Sequence, residues 1–162
     1  MGLDVTVLLN VQQVAEVDTY SMHLQSFENS GTYLIHNLEY VKDRCTAFQG
    51  YCVGDEAMSF YVRSYTDYSE YRQSLAGLLS TTAEEVWDNP ETYKDNEFYE
   101  QICFPDNEGT FDHIVSQRLY NAYVNNSLNA LLELDKEDYI LYIKFKDAFQ
   151  LAAEGKGIVV YY

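Results

Sequence analysis

From Leu3 to Leu9 the apolar residues Leu3, Val5, Val7 and Leu9 alternate with Asp4, Thr6 and Leu8. A period of two, rich in β-branched side chains, predicts a strand. Ala57 to Arg63 sets Phe60 and Val62 beside Tyr61 and predicts a second strand, bounded by a Gly54-Asp55 turn. Ile158 to Tyr162 predicts a closing strand. It is too apolar to be solvated on both faces and is expected to pair with other strands, Leu3 to Leu9 foremost. Between Asn10 and Gly54 the pattern is mixed: Val11, Val14 and Val17 fit a short helix, and Thr32 to Ile35 fits a strand.

Helical periodicity begins after Asp67, which is expected to cap a helix whose Tyr71, Leu75, Leu78 and Leu79 share an apolar face. Thr82 and Glu85 have capping-box spacing, and Asn89-Pro90 stops the turn that follows. Phe98 to Phe104 fits either a strand or a helical turn and ends at Pro105. Asp112 opens a helix carrying Val115, Leu119, Ala122 and Tyr123, which the Asn125-Asn126-Ser127 cluster weakens before Leu128 to Leu134 resumes. Asp135 caps a long helix with Leu141, Phe145, Ala148, Phe149 and Ala152 on one side, and Gly155 is expected to end it in the left-handed conformation. The order of elements predicts a single α+β domain over residues 1–162, with a small, mostly antiparallel sheet that includes the N- and C-terminal strands and is covered by amphipathic helices.

Charge changes this picture most. The 162 residues carry 10 Lys and Arg against 26 Asp and Glu, a formal net charge of −16. Such a field repels phosphates, so direct DNA or RNA binding is disfavoured and a basic protein becomes the expected partner. Apolar runs fall short of the roughly 18 residues of a membrane span. Asp4 and the lack of Lys or Arg before Lys42 do not fit a secretory leader. The three cysteines Cys45, Cys52 and Cys103 then fit free thiols in the cytoplasm better than a disulfide framework. Cys45, Cys52, Cys103 and His113 could formally ligate zinc, but no Cys-x-x-Cys pair supports it, and no cofactor is implied.

Phosphate-loop, nucleophile-elbow and His-Glu-x-x-His patterns are missing. The segment from Pro105 to His113 gathers Asp106, Glu108, Asp112 and His113 around Gly109, a set able to hold a cation or act as acid and base in a small metal-dependent hydrolase. It fails the calcium-loop register, because Gly109 at position six puts Phe104 at position one and Val115 at position twelve. The favoured reading is a polar turn with Asp112 as helix cap. Cys103 with His113 could form a thiol and base pair, although a Cys between Ile102 and Phe104 reads better as core. His23 and His36 have no partner at a recognisable spacing. Tyr61, Tyr65, Tyr68 and Tyr71 lie close together and are candidates for a protein-binding face, with sheet-covering core rings as the competing reading.

The stretches Phe98 to Tyr123 and Tyr142 to Tyr162 (FYEQICFPDNEGTFDHIVSQRLYNAY and YIKFKDAFQLAAEGKGIVVYY) resemble a family of small uncharacterised acidic proteins of bacterial and phage genomes. Ser64 to Leu79 and the opening MGLDV are similar as well. The resemblance implies a bacterial or phage setting and no particular activity. The sequence therefore points to a non-enzymatic accessory protein that binds a basic partner, in its sharpest form an inhibitor or nucleic-acid mimic, with the hydrolase as the alternative. The oligomeric state stays open.

Overall fold

In a computed structural model that describes residues 2–13, 32–35, 50–103 and 109–161, the opening alternation becomes strand β1 (Leu3–Gln13). β2 (Thr32–Ile35) forms where expected, and β3 (Gly50–Val62) pairs antiparallel with both. Two departures from expectation meet here. β1 runs past Val11, which is strand and not helix, while Val14 and Val17 lie outside the described residues. Gly54-Asp55 is strand interior and not a turn.

Both follow from bulges. Leu9 faces Asp55 and Gln12 faces Val53, so Asn10 and Val11 together oppose Gly54. Asn10 takes a positive φ of 52°, which Asn tolerates better than most residues, and donates from Nδ2 to Asp55 Oδ2 at 2.8 Å. A side chain on Gly54 would put its Cβ 3.0 Å from the Leu9 carbonyl oxygen, so glycine lets the bulge close. The second bulge lies at Ala57, between the pairs Val7 with Met58 and Leu8 with Glu56. A one-residue slip inverts the facing of everything beyond it. Cys52, of the same parity as Phe60 and Val62, thereby packs with Leu8 in a second cluster on the far side of the sheet.

Helix α1 (Tyr65–Leu78) is capped by Ser64, one turn earlier than expected: Ser64 Oγ accepts from the Asp67 N–H at 3.1 Å and donates to Asp67 Oδ2 at 2.8 Å. Asp67 thus lies in the first turn, bonded to the capping hydroxyl, and is not the cap itself. Thr82 caps α2 (Ala83–Asp88), accepting from the Glu85 N–H at 3.2 Å. Pro90 ends α2 and begins the short α3 (Pro90–Tyr93), where its missing N–H is harmless. The ambiguous aromatic segment is helical, α4 (Tyr99–Cys103), with every residue buried. A three-residue strand, β4 (Gly109–Phe111), follows where sequence suggested only a polar turn.

Asp112 caps α5 (His113–Asn125), which breaks at Asn126 before α6 (Ser127–Glu133). Asp135 caps α7 (Lys136–Glu154), accepting from the Glu137 and Asp138 N–H groups at 2.8 and 2.9 Å. Gly155 is not left-handed: its φ is −86°, and Lys156 takes the positive φ of 51°. Position 155 is crowded instead, since a Cβ there would meet Leu9 Cδ2 at 2.5 Å and the Leu151 carbonyl oxygen at 3.0 Å. β5 (Ile158–Tyr161) then pairs antiparallel with β1 on one side and β4 on the other, giving the order β2-β3-β1-β5-β4.

Val5, Val7, Phe60, Val159 and Tyr161 face the helices, where Tyr68, Tyr71, Phe145 and Phe149 fill one continuous core. The result is a single α+β domain with an antiparallel sheet that includes both terminal strands. Among the described residues no helix is long and apolar enough to cross a membrane.

Candidate functional site

Of the four clustered tyrosines, Tyr68 and Tyr71 are fully buried and cannot belong to a binding face. Both sit on the side of α1 that meets the sheet, at the spacing of Leu75. Their hydroxyls are absorbed internally. Tyr123 donates to Gln101 Oε1 at 2.7 Å, which leaves Tyr71 to donate to the Tyr123 oxygen at 2.9 Å. Tyr142 donates to the Tyr123 carbonyl at 2.5 Å. Burial pushes the Tyr71, Tyr123 and Tyr161 hydroxyls well above the ordinary phenol range. Nearby, Arg72 lies over the rings of Tyr68 and Trp87 at 5.3 and 5.2 Å. Tyr65 is half-buried and Tyr61 is 53% exposed, so Tyr61 is the ring left to an interface.

The acidic loop divides. Asp106 and Glu108 lie outside the described residues, as do Cys45, His23 and His36. Asp112 is buried, with Oδ1 accepting from the Val115 N–H at 2.9 Å, and His113 occupies the first turn of α5. Cys103 packs in the main core and Cys52 in the smaller cluster, and both are buried. Among the described residues no three His, Cys, Asp or Glu side chains converge as metal ligands would.

Carboxylates gather elsewhere, in a place that periodicity did not indicate. A cleft of about 450 Å³ opens between Tyr61 and Arg63 at the end of β3, the outer side of α1 (Asp67, Glu70, Ser74) and the first turn of α7 (Asp135, Glu137, Asp138). It shares Ser74, Asp135 and Asp138 with a second recess of about 350 Å³, walled by Gly77 and Leu78 of α1 and by Glu133 and Leu134 at the end of α6. Six carboxylates line the pair of recesses, with Arg63 and Lys144 as the cations there among the described residues. Arg63 Nη1 meets Glu137 Oε2 at 2.8 Å, but both side chains are mostly in solvent and the pair adds little.

Local rules explain how each carboxylate arrives. Asp67 lies in the α1 first turn, Asp135 caps α7, and Glu137 and Asp138 occupy the α7 first turn, where the helix dipole favours negative charge. Two helix starts that are each normal bring their acids to the same cleft. Partial burial holds the Asp138 carboxyl above the usual carboxylate range. A 2.5 Å hydrogen bond from Ser74 Oγ opposes that shift, while the charges of Asp135, Glu70 and Glu137 add to it. The acidic surface continues across α1, where Gln73 donates to Glu84 Oε1 at 2.6 Å and accepts from the Ala83 N–H at 3.0 Å. Glu84, Glu85 and Asp88 are exposed there, and the bond from Gln73 lowers the Glu84 carboxyl.

Set against protein-family models, curated proteins and solved structures, the chain matches none of them.

Proposed function

We propose that this chain is a non-enzymatic accessory protein that binds a basic protein partner through the acidic surface over α1. In its sharpest form it acts as an inhibitor in a bacterial or phage-infected cell, its carboxylates standing where phosphates would stand on a nucleic acid. One observation carries the reading: six carboxylates and two cations line the recesses between α1, α6 and α7, and the Asp138 carboxyl already feels the crowding of its neighbours. A further lysine or arginine placed there would relieve repulsion that two cations among six carboxylates leave unbalanced.

The test compares two charge-matched variants by calorimetric titration with a synthetic oligolysine peptide. Glu70→Gln, Glu133→Gln and Glu137→Gln together are expected to weaken binding about tenfold at physiological salt. Glu56→Gln, Asp147→Asn and Glu154→Gln, which remove the same formal charge away from the recesses, are expected to change it less than about twofold. Equal losses in the two variants would mean that only net charge matters and would defeat the proposal.

A further inference from the structure

Helix α6 is built the wrong way round for a helix that only supports a core. Ala130 is its buried residue, while Leu128, Leu131 and Leu132 are 67%, 58% and 73% exposed. Their offsets of 0, 3 and 4 put them on one stripe. Val124, near the end of α5 and before the break at Asn126, is also 48% exposed. The leucine spacing is the one by which a helix packs against another helix, and a contiguous apolar patch of this kind marks an interaction surface. Where α6 ends, Glu133 follows Leu132 directly in the chain and, with Leu134, forms a wall of the acidic recess.

We propose that the occupant of this surface is a basic amphipathic helix of the partner protein. It would lay its apolar face on Leu128, Leu131 and Leu132 and its Lys or Arg side chains along Glu133, Asp135 and Asp138. The proposal rests on the preceding reading and adds the shape of the ligand. Charge selects this occupant over others. A second copy would bring another −16 onto the same surface, and an anionic lipid surface would meet the same repulsion. A basic helix satisfies both halves of the surface, because long cationic side chains cover apolar area with their stems while their heads reach carboxylates.

Three peptides test the proposal on the full chain: an amphipathic Leu/Lys helix, a shuffled peptide of identical composition, and a Lys/Ser peptide of equal charge. The amphipathic peptide is expected to bind about tenfold tighter than the shuffled one, and its affinity should fall with added salt. Leu128→Ser, Leu131→Ser and Leu132→Ser together should erase that margin with the far-ultraviolet circular dichroism unchanged, since these side chains contribute little to the core. Equal binding of the amphipathic and shuffled peptides, or a margin that survives in the leucine variant, overturns the helix proposal. The acidic-surface reading still stands in that case if the Lys/Ser peptide binds through Glu70, Glu133 and Glu137, and no binding by any peptide overturns both. A dimer in sedimentation equilibrium that the leucine variant disperses would overturn the proposal in favour of a second copy.

Discussion

The two sides of α1 solve opposite problems. On the inner side Tyr68, Tyr71 and Leu75 are enclosed completely, and their neighbours leave each ring a defined geometry. Phe145 sits 5.1 Å edge-on to Phe60 and 5.3 Å stacked on Tyr71, with Tyr161 at 5.9 Å. On the outer side Asp67 and Glu70 face Asp135, Glu137 and Asp138 across a cleft, where burial and the neighbouring charges oppose ionisation of Asp138. The inner side stabilises the fold, and the outer side holds one carboxyl, Asp138, whose ionisation works against it. Surfaces that work against folding are the natural place to look for binding.

The contrast can be broken most forcefully from the inner side. Phe145→Ala should cost about 3–5 kcal/mol in urea unfolding, because the ring is fully buried and bridges the sheet and α1. A loss under about 1 kcal/mol would show that the aromatic interior is loosely packed. Tyr123→Phe keeps the ring and removes the hydroxyl that links Tyr71 to Gln101. About 1–3 kcal/mol should be lost, since buried polar partners are left behind, and Gln101→Leu measured in the same background should then cost less than it does alone.

The outer side should respond with the opposite sign and a smaller size. Because the Asp138 carboxyl is raised, the folded state holds its proton more tightly than the unfolded chain does. Its contribution to stability is present below the unfolded value and is lost as pH rises through the folded one. Asp138→Asn, which never ionises, should therefore be slightly more stable than the parent at neutral pH, solvent screening at this half-exposed position keeping the gain small, with the gain shrinking toward acid. Thermal melts at several pH values check this, and a constant difference across the range would show that charge crowding in the cleft is not the cause.

Much of the fold was legible in the chain because the interactions that decide it are local. Alternation in Leu3 to Leu9, the capping signatures at Thr82, Asp112 and Asp135, and the apolar run Ile158 to Tyr161 are each completed within a few residues. The failures have physical causes of longer reach. Gly54 reads as a turn until Leu9 and Asn10 are seen against it, and Gly155 reads as a left-handed stop until the Leu9 side chain is found in the space a Cβ would fill. Tyr68 and Tyr71 share a spacing that suits a core and an interface equally well, and only the sheet beneath α1 tells them apart.

The candidate site was less legible still. Net charge is a property of composition, so the sequence by itself determined that the protein is strongly acidic, and its local patterns placed most of the helices and strands. Where the charge gathers depends on residues as far apart as Glu70 and Asp138, and the outward leucines of α6 look like any amphipathic helix until Ala130 is seen to be the side turned inward. Only the tertiary structure decided these two things, because electrostatic crowding and apolar exposure are set by which helix faces which, and a helix does not carry that information in its own period.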